Sequence, residues 1–190
     1  MSQTLKQTPS QTVGPYFAYA WTPERYGRRP LATNRLAADL LSAGGPPGEP
    51  IRIEGIVRDG EGAPIRDCVV EIWQARTDGT HAPGAAGFGR CGTDDQGRYA
   101  FDTVKPGTCG DDHAPHIAVT VFARGMLSHV FTRLHFSDEA AANAEDPVLA
   151  TVPADRRDTL IARRGETPGS VVYRFDIRLQ GEGETVFFDC

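Results

Sequence analysis

Val69-Val70-Glu71-Ile72-Trp73-Gln74-Ala75 decides the fold: a short apolar strand that leads to a turn at Asp78-Gly79-Thr80-His81. Dense apolar content from Cys68 to Gln74 predicts a strand buried on both faces. Upstream, Ile51, Ile53 and Val57 alternate with Arg52, Glu54 and Arg58, which is strand spacing. The intervening Asp59-Gly60-Glu61-Gly62-Ala63-Pro64 is turn chemistry. Downstream, Asp94-Asp95-Gln96-Gly97 turns into a strand in which Tyr99, Phe101 and Thr103 share a face. His116 to Ala123, Val130 to Phe136 and Val171 to Leu179 also read as strands, and Thr185 to Phe188 as a last one. Short strands between Gly and Pro turns predict an all-β sandwich over residues 51–190, preceded by a long N-terminal arm, residues 1–50. Helices are expected at Arg35 to Leu41, at about Pro153 to Arg164, and after Ser137, whose side chain would cap the helix ahead of Asp138 and Glu139. Gly87-Phe88-Gly89 lacks the helix and Lys of a phosphate cradle and reads as a turn. Gly181 to Glu184 reads as another.

A chain of 190 residues suits one domain with a single sizeable core. The net charge of -5 argues against a nucleic-acid binder. No apolar run approaches the roughly 20 residues that span a bilayer. The start, Met1 to Gln7, has no apolar signal region, so a cytoplasmic protein is expected. The four Cys, at 68, 91, 109 and 190, stand far apart and are expected to be reduced thiols, with Cys68 a small core residue. The arm is broken by Pro9, Pro15, Pro23, Pro30, Pro46, Pro47 and Pro50, yet it carries Tyr16, Phe17, Tyr19, Trp21 and Tyr26. So aromatic a segment is expected to pack, on its own sandwich or on a partner.

Three short motifs carry the chemistry. Trp73-Gln74-Ala75 is followed by Lys105-Pro106-Gly107, with Cys109 two residues on, and then by Pro115-His116-Ile117-Ala118. Together, and over a stretch from Thr8 to Asp189, they resemble the intradiol ring-cleavage dioxygenases. That resemblance implies a ferric site held by two Tyr and two His, which follow the WQA turn, follow the KPG turn and fill both ends of an H-I-H triplet. Here those positions read His81, Cys109, His116 and Ala118. Ferric iron is a hard acid that favours anionic oxygen; Cys109 is a soft donor and Ala118 has none. The chain therefore resembles an iron-free alpha-type subunit whose beta-type partner binds Fe(III). The implied reaction, in a large αβ hetero-oligomer, is cleavage of protocatechuate by O2 to 3-carboxy-cis,cis-muconate, on the route to β-ketoadipate.

By the same resemblance Thr12, Gly14, Pro15 and Tyr16 of the arm line the substrate cavity with Arg133, and Tyr16 and Arg133 stand nearest to catalysis. Gly allows close backbone approach, Pro fixes the arm's shape, and Tyr offers a flat face with a hydroxyl at its tip. Read alone, Tyr16 could equally be an anchor for the arm. Arg133, inside Phe131-Thr132-Arg133-Leu134-His135-Phe136, either snorkels to solvent or meets an anion, and its planar fork suits a carboxylate. Arg124, beside Gly125, is a less specific candidate, and His129 and His135 read as structural.

Two alternatives stay open. One is a self-sufficient metalloprotein with Zn(II) on His81, Cys109, His113 and His116, although C-x3-H-x2-H fits no common zinc module and Asp111, Asp112, Gly107 and Gly110 suggest a solvated loop. In that case His113 and His116 would be ligands; otherwise His113 is a solvated loop residue and His116 a hydrogen-bonded one. The other alternative is a non-catalytic prealbumin-like binding module, which predicts a stable monomer with a dispensable arm.

Overall fold

The computed structural model describes residues 14, 17–28, 47–81, 87–110, 112–167 and 169–189. Nine strands dominate: β1 Pro50–Arg58, β2 Val69–Gln74, β3 Phe88–Gly92, β4 Arg98–Val104, β5 His116–Phe122, β6 Val130–Phe136, β7 Ile161–Thr167, β8 Ser170–Arg174 and β9 Ile177–Arg178. Among the described residues three short α-helices accompany them: α1 Phe17–Trp21, α2 Ala140–Glu145 and α3 Pro147–Thr151. Among the described residues no helix is long and apolar enough to cross a membrane.

The strands follow one path, β3-β2-β5-β6-β7-β8-β1-β4, with β9 paired to the end of β1. The expected all-β class holds, but this is a single curled sheet rather than two separate ones. Its limbs are joined where β6 meets β7 in parallel, at His135↔Ile161 and Phe136↔Ala162. The curl brings the end strands β3 and β4 close to one another. Ile51, Ile53, Phe101 and Tyr173 of one limb bury against Val70, Ile72, Ile117, Val119, Leu134 and Phe136 of the other. Such burial of branched and aromatic side chains is the main force holding the curl.

Most sequence expectations survive with trimmed ends, but several do not. The helix expected from Pro153 is one 3-10 turn, Arg157–Leu160, after which the chain enters β7. Leu160 and Ala162 alternate into buried positions, and tertiary burial overrides the weak helical spacing. The helix after Ser137 exists as α2, but Ser137 does not cap it. Its Oγ accepts from the Arg164 N–H at 2.9 Å, and Glu139 at the cap makes no side-chain cap bond. The strand read from Val171 to Leu179 is interrupted at Phe175-Asp176. There Phe175 N–H donates to the Glu54 carbonyl at 2.8 Å and Asp176 accepts from Ile56 N–H at 3.0 Å. Thr185 to Phe188 forms only a bridge, Phe131↔Phe188. Phe88 opens strand β3 instead of sitting in a turn. β2 is fully buried on one face and half-buried on the other at Glu71 and Trp73. The helix expected at Arg35 to Leu41 lies outside the described residues.

Gln74 ties the limbs together from inside. Its Nε2 donates to the Val104 carbonyl at 2.9 Å and its Oε1 accepts from Thr103 Oγ1 at 2.9 Å, all buried. Replacing Gln74 by Leu keeps the bulk but strands the Thr103 hydroxyl and the Val104 carbonyl. Urea unfolding is expected to show a loss of about 1–3 kcal/mol with an unchanged m-value.

Candidate functional site

β5 is bonded on both sides, to β2 and β6, and its alternation builds the site. Ile117, Val119 and Val121 enter the core, so His116, Ala118, Thr120 and Phe122 turn to the other face. The register Trp73↔Ala118↔Arg133 then sets an indole, a methyl and a guanidinium in one row on that outer face. His116 is paired across from His135 beside the row.

The positions expected to hold metal do not converge on one point. His81 stacks on Trp73, centroids 5.6 Å apart and planes 7° apart, and its Nε2 lies 3.4 Å from Cys109 Sγ. His116 belongs to another group, its ring 5.9 Å from that of His113 and 5.6 Å from that of His135. Its Nδ1 donates to the Ala114 carbonyl at 2.8 Å, which puts the hydrogen on Nδ1 and a lone pair on Nε2. Behind this group Asp146 is fully buried. It accepts from the N–H groups of Ala114, Val148 and Leu149 at 2.8–2.9 Å, and His113 Nδ1 stands 3.6 Å away.

Burial pushes the His135 imidazole down to about 4 and holds His116 below the ordinary range. Burial alone would raise Asp146, but the Leu149 and Ala114 N–H groups hold its carboxyl below the usual value. Several polar atoms here are sealed from solvent with no hydrogen-bond partner: Arg133 Nη1, both nitrogens of His135 and His113 Nδ1. An orphaned donor on a permanent cation is the most costly of these.

Other candidates are placed as follows. His113 is half-buried against Asp146, not a solvated loop residue as expected. His116 is hydrogen-bonded, as read. His135 is completely buried, which no periodicity in the sequence signals. Arg124 is engaged with Asp67. Gly14 is exposed, and its carbonyl accepts from Phe17 N–H at 3.2 Å. Thr12, Pro15 and Tyr16 lie outside the described residues. The described part of the arm packs on this chain's own sheet: Trp21 meets Phe122 edge-on at 4.6 Å, and the Arg90 guanidinium lies over Trp21 at 4.9 Å and Phe88 at 5.6 Å while pairing with Glu71. Of the two packings expected for the aromatic arm, its own sandwich or a partner, the described part shows the first.

Among the described residues no group of three or more His, Cys, Asp or Glu side chains is placed to hold a metal ion. The ligand positions do not fit ferric iron: they offer no phenolate, one soft thiol, two imidazoles that belong to different groups, and a methyl. The same separation counts against zinc on His81, Cys109, His113 and His116 together.

A family model described as a dioxygenase matches residues 23–181. The chain belongs to this dioxygenase family. Across the dioxygenase family, the protocatechuate 3,4-dioxygenase alpha chain of Burkholderia cepacia is 51% identical over 199 residues, covering 98% of both chains. The protocatechuate 3,4-dioxygenase beta chain of the same organism is 33% identical over 171 residues, covering 79% of this chain and 72% of that one. An intradiol ring-cleavage dioxygenase from Tetranychus urticae shares the fold, with a TM-score of 0.65 at 16% identity over 92% of this chain and 94% of that chain.

The buried histidine has a measurable consequence. As pH falls through 6.5 the unfolded chain protonates His135, while the folded chain resists until about 4. Stability is therefore expected to be full above pH 6.5 and to decline between 6.5 and 4. Urea midpoints at pH 7 and pH 5 should differ less in a His135→Phe variant than in the wild type.

Proposed function

We propose that this chain is the iron-free alpha subunit of a protocatechuate 3,4-dioxygenase. It would pair with a beta subunit that holds Fe(III), in a large αβ hetero-oligomer of the cytoplasm. The observation that carries this reading is the combination of end-to-end likeness to an alpha chain with ligand positions that cannot bind ferric iron. Iron in the partner would activate the catecholate for attack by O2, giving 3-carboxy-cis,cis-muconate. The two curled limbs correspond in this reading to the layers of the prealbumin-like sandwich that the family motifs imply.

This chain's part is to complete the pocket. Thr12, Gly14, Pro15 and Tyr16 line the cavity from the arm, and Arg133 meets the ring carboxylate. Arg133 is half-buried on the outer face beside Ala118, and a planar carboxylate is the acceptor a guanidinium best accommodates. Tyr16 and Arg133 orient the substrate, so the ring arrives with its hydroxyls toward the partner.

Coexpression with a beta-type chain, read by iron content and oxygen uptake on protocatechuate, tests the assignment. The expected outcome is an iron-free, inactive lone chain and an iron-bearing, active complex. Iron and turnover in the lone chain would sink it. In the complex, Arg133→Gln is expected to raise KM for protocatechuate about tenfold or more while kcat changes less, the pattern of a lost binding contact.

A further inference from the structure

Cys109 Sγ lies 3.4 Å from His81 Nε2, so these two side chains pair with each other across two turns. The imidazole lies flat on Trp73, with centroids 5.6 Å apart, which fixes its plane. The turns themselves are interlocked. The N–H groups of Gly79 and Gly107 both donate to the Arg76 carbonyl at 3.0 Å, and Arg76 N–H donates to the Thr80 carbonyl at 2.8 Å. A Cβ at Gly79 would run into the Thr108 carbonyl, and one at Gly107 into that of Thr77, so glycine lets the backbones touch. Lys105 fastens the second turn from behind, pairing with Asp138 at 2.9 Å and Glu139 at 2.6 Å. A thiol beside an imidazole that a third group orients is the arrangement of an activated nucleophile. In the Nδ1–H tautomer, His81 Nε2 accepts from the thiol and is placed to take its proton. The pair is also open to solvent, with His81 exposed and Cys109 half-buried. Cys68, by contrast, is fully enclosed and pushed up to about 12 by burial, and burial raises Cys91 as well.

We infer that Cys109 and His81 form a nucleophilic pair that captures soft, conjugated carbon electrophiles, with o-quinones as the class it meets. Sulfur is the soft nucleophile that such carbons accept. A catechol that loses two electrons becomes an o-quinone, and the choice of this class rests on the reading that the chain works beside a catechol. Sγ adds to a ring carbon of the quinone. The S–C bond forms as the thiol proton passes to His81 Nε2, and the electron pair moves through the ring onto a carbonyl oxygen. That oxygen then takes the proton from His81. The hydrogen on the attacked carbon leaves as a proton for the second oxygen, which restores a catechol ring. The quinone gains two electrons and two protons in all, the sulfur is arylated, and no other reagent is consumed.

Timed exposure of the full chain at pH 7 to 4-methyl-1,2-benzoquinone, freshly oxidised from 4-methylcatechol, tests the pair; peptide mapping by mass spectrometry reads each thiol separately. Cys109 is expected to gain one quinone at least about tenfold faster than free glutathione does, a modest share of what a positioned base supplies. Cys68 and Cys91 are expected to stay unlabelled while the chain is folded. His81→Phe keeps a ring on Trp73 but has no nitrogen, and its Cys109 should fall to within about twofold of glutathione. Thermal melting within a few degrees of wild type confirms that the variant is folded; if His81→Phe does not fold, His81→Gln takes its place. A wild-type Cys109 no faster than glutathione would overturn the inference. So would a fast Cys109 whose rate is unchanged without the imidazole, because His81 would then play no part. The reaction uses no iron and no turnover, so an inactive αβ complex would count against the subunit assignment alone.

Discussion

The alternation of β5 is the constraint on which the other features depend. Its odd-numbered residues, Ile117, Val119 and Val121, are buried in the core, and its even-numbered ones are not. A slip of one residue would carry the apolar set to the outer face and pull His116 and Ala118 inward, so the core itself enforces the register. Because β2 and β6 flank β5 and are bonded in fixed register, the same packing that stabilises the domain aligns Trp73, Ala118 and Arg133. The row is thus a consequence of hydrophobic burial on the opposite side of the sheet.

The arm lands on that same outer face. Arg90 is held between the rings of Trp21 and Phe88 and is neutralised by Glu71, and all four groups are at least partly buried. A cation over aromatic faces contributes about 0.5–2 kcal/mol depending on desolvation, and the half-buried ion pair adds direction. The first described turns of the chain are fastened to the sheet.

Much of this was legible in the sequence. Alternating Ile51, Ile53 and Val57 located β1, and the boundaries read for Val130 to Phe136 match β6 residue for residue. The motif around Trp73 and His116 identified both the family and the vacancy in its ligand set. What stayed hidden was tertiary. Leu160 and Ile161 sit at a spacing that suits a helix, and only the pairing of β7 with β8 and β6 turns that stretch extended. Ser137 looks like a cap because caps are local, whereas its true partner, Arg164, is 27 residues away. Nothing in a single histidine's neighbours announces that His135 is wholly enclosed, since Asp146 and His116 reach it from distant segments.

One property of the sheet has a bearing on how such chains associate. An open sheet exposes unpaired backbone along its two outermost strands, and those edges recruit further strands. Here the outermost strands are β3 and β4, and the curl turns them toward each other, so that Cys91 and Tyr99 line the same cleft. Each edge shields the other from a passing chain. Strand-by-strand extension at these two edges is thereby disfavoured, which leaves side chains on the faces of the sheet, where shape and charge can differ from one protein to another, as the surface on offer.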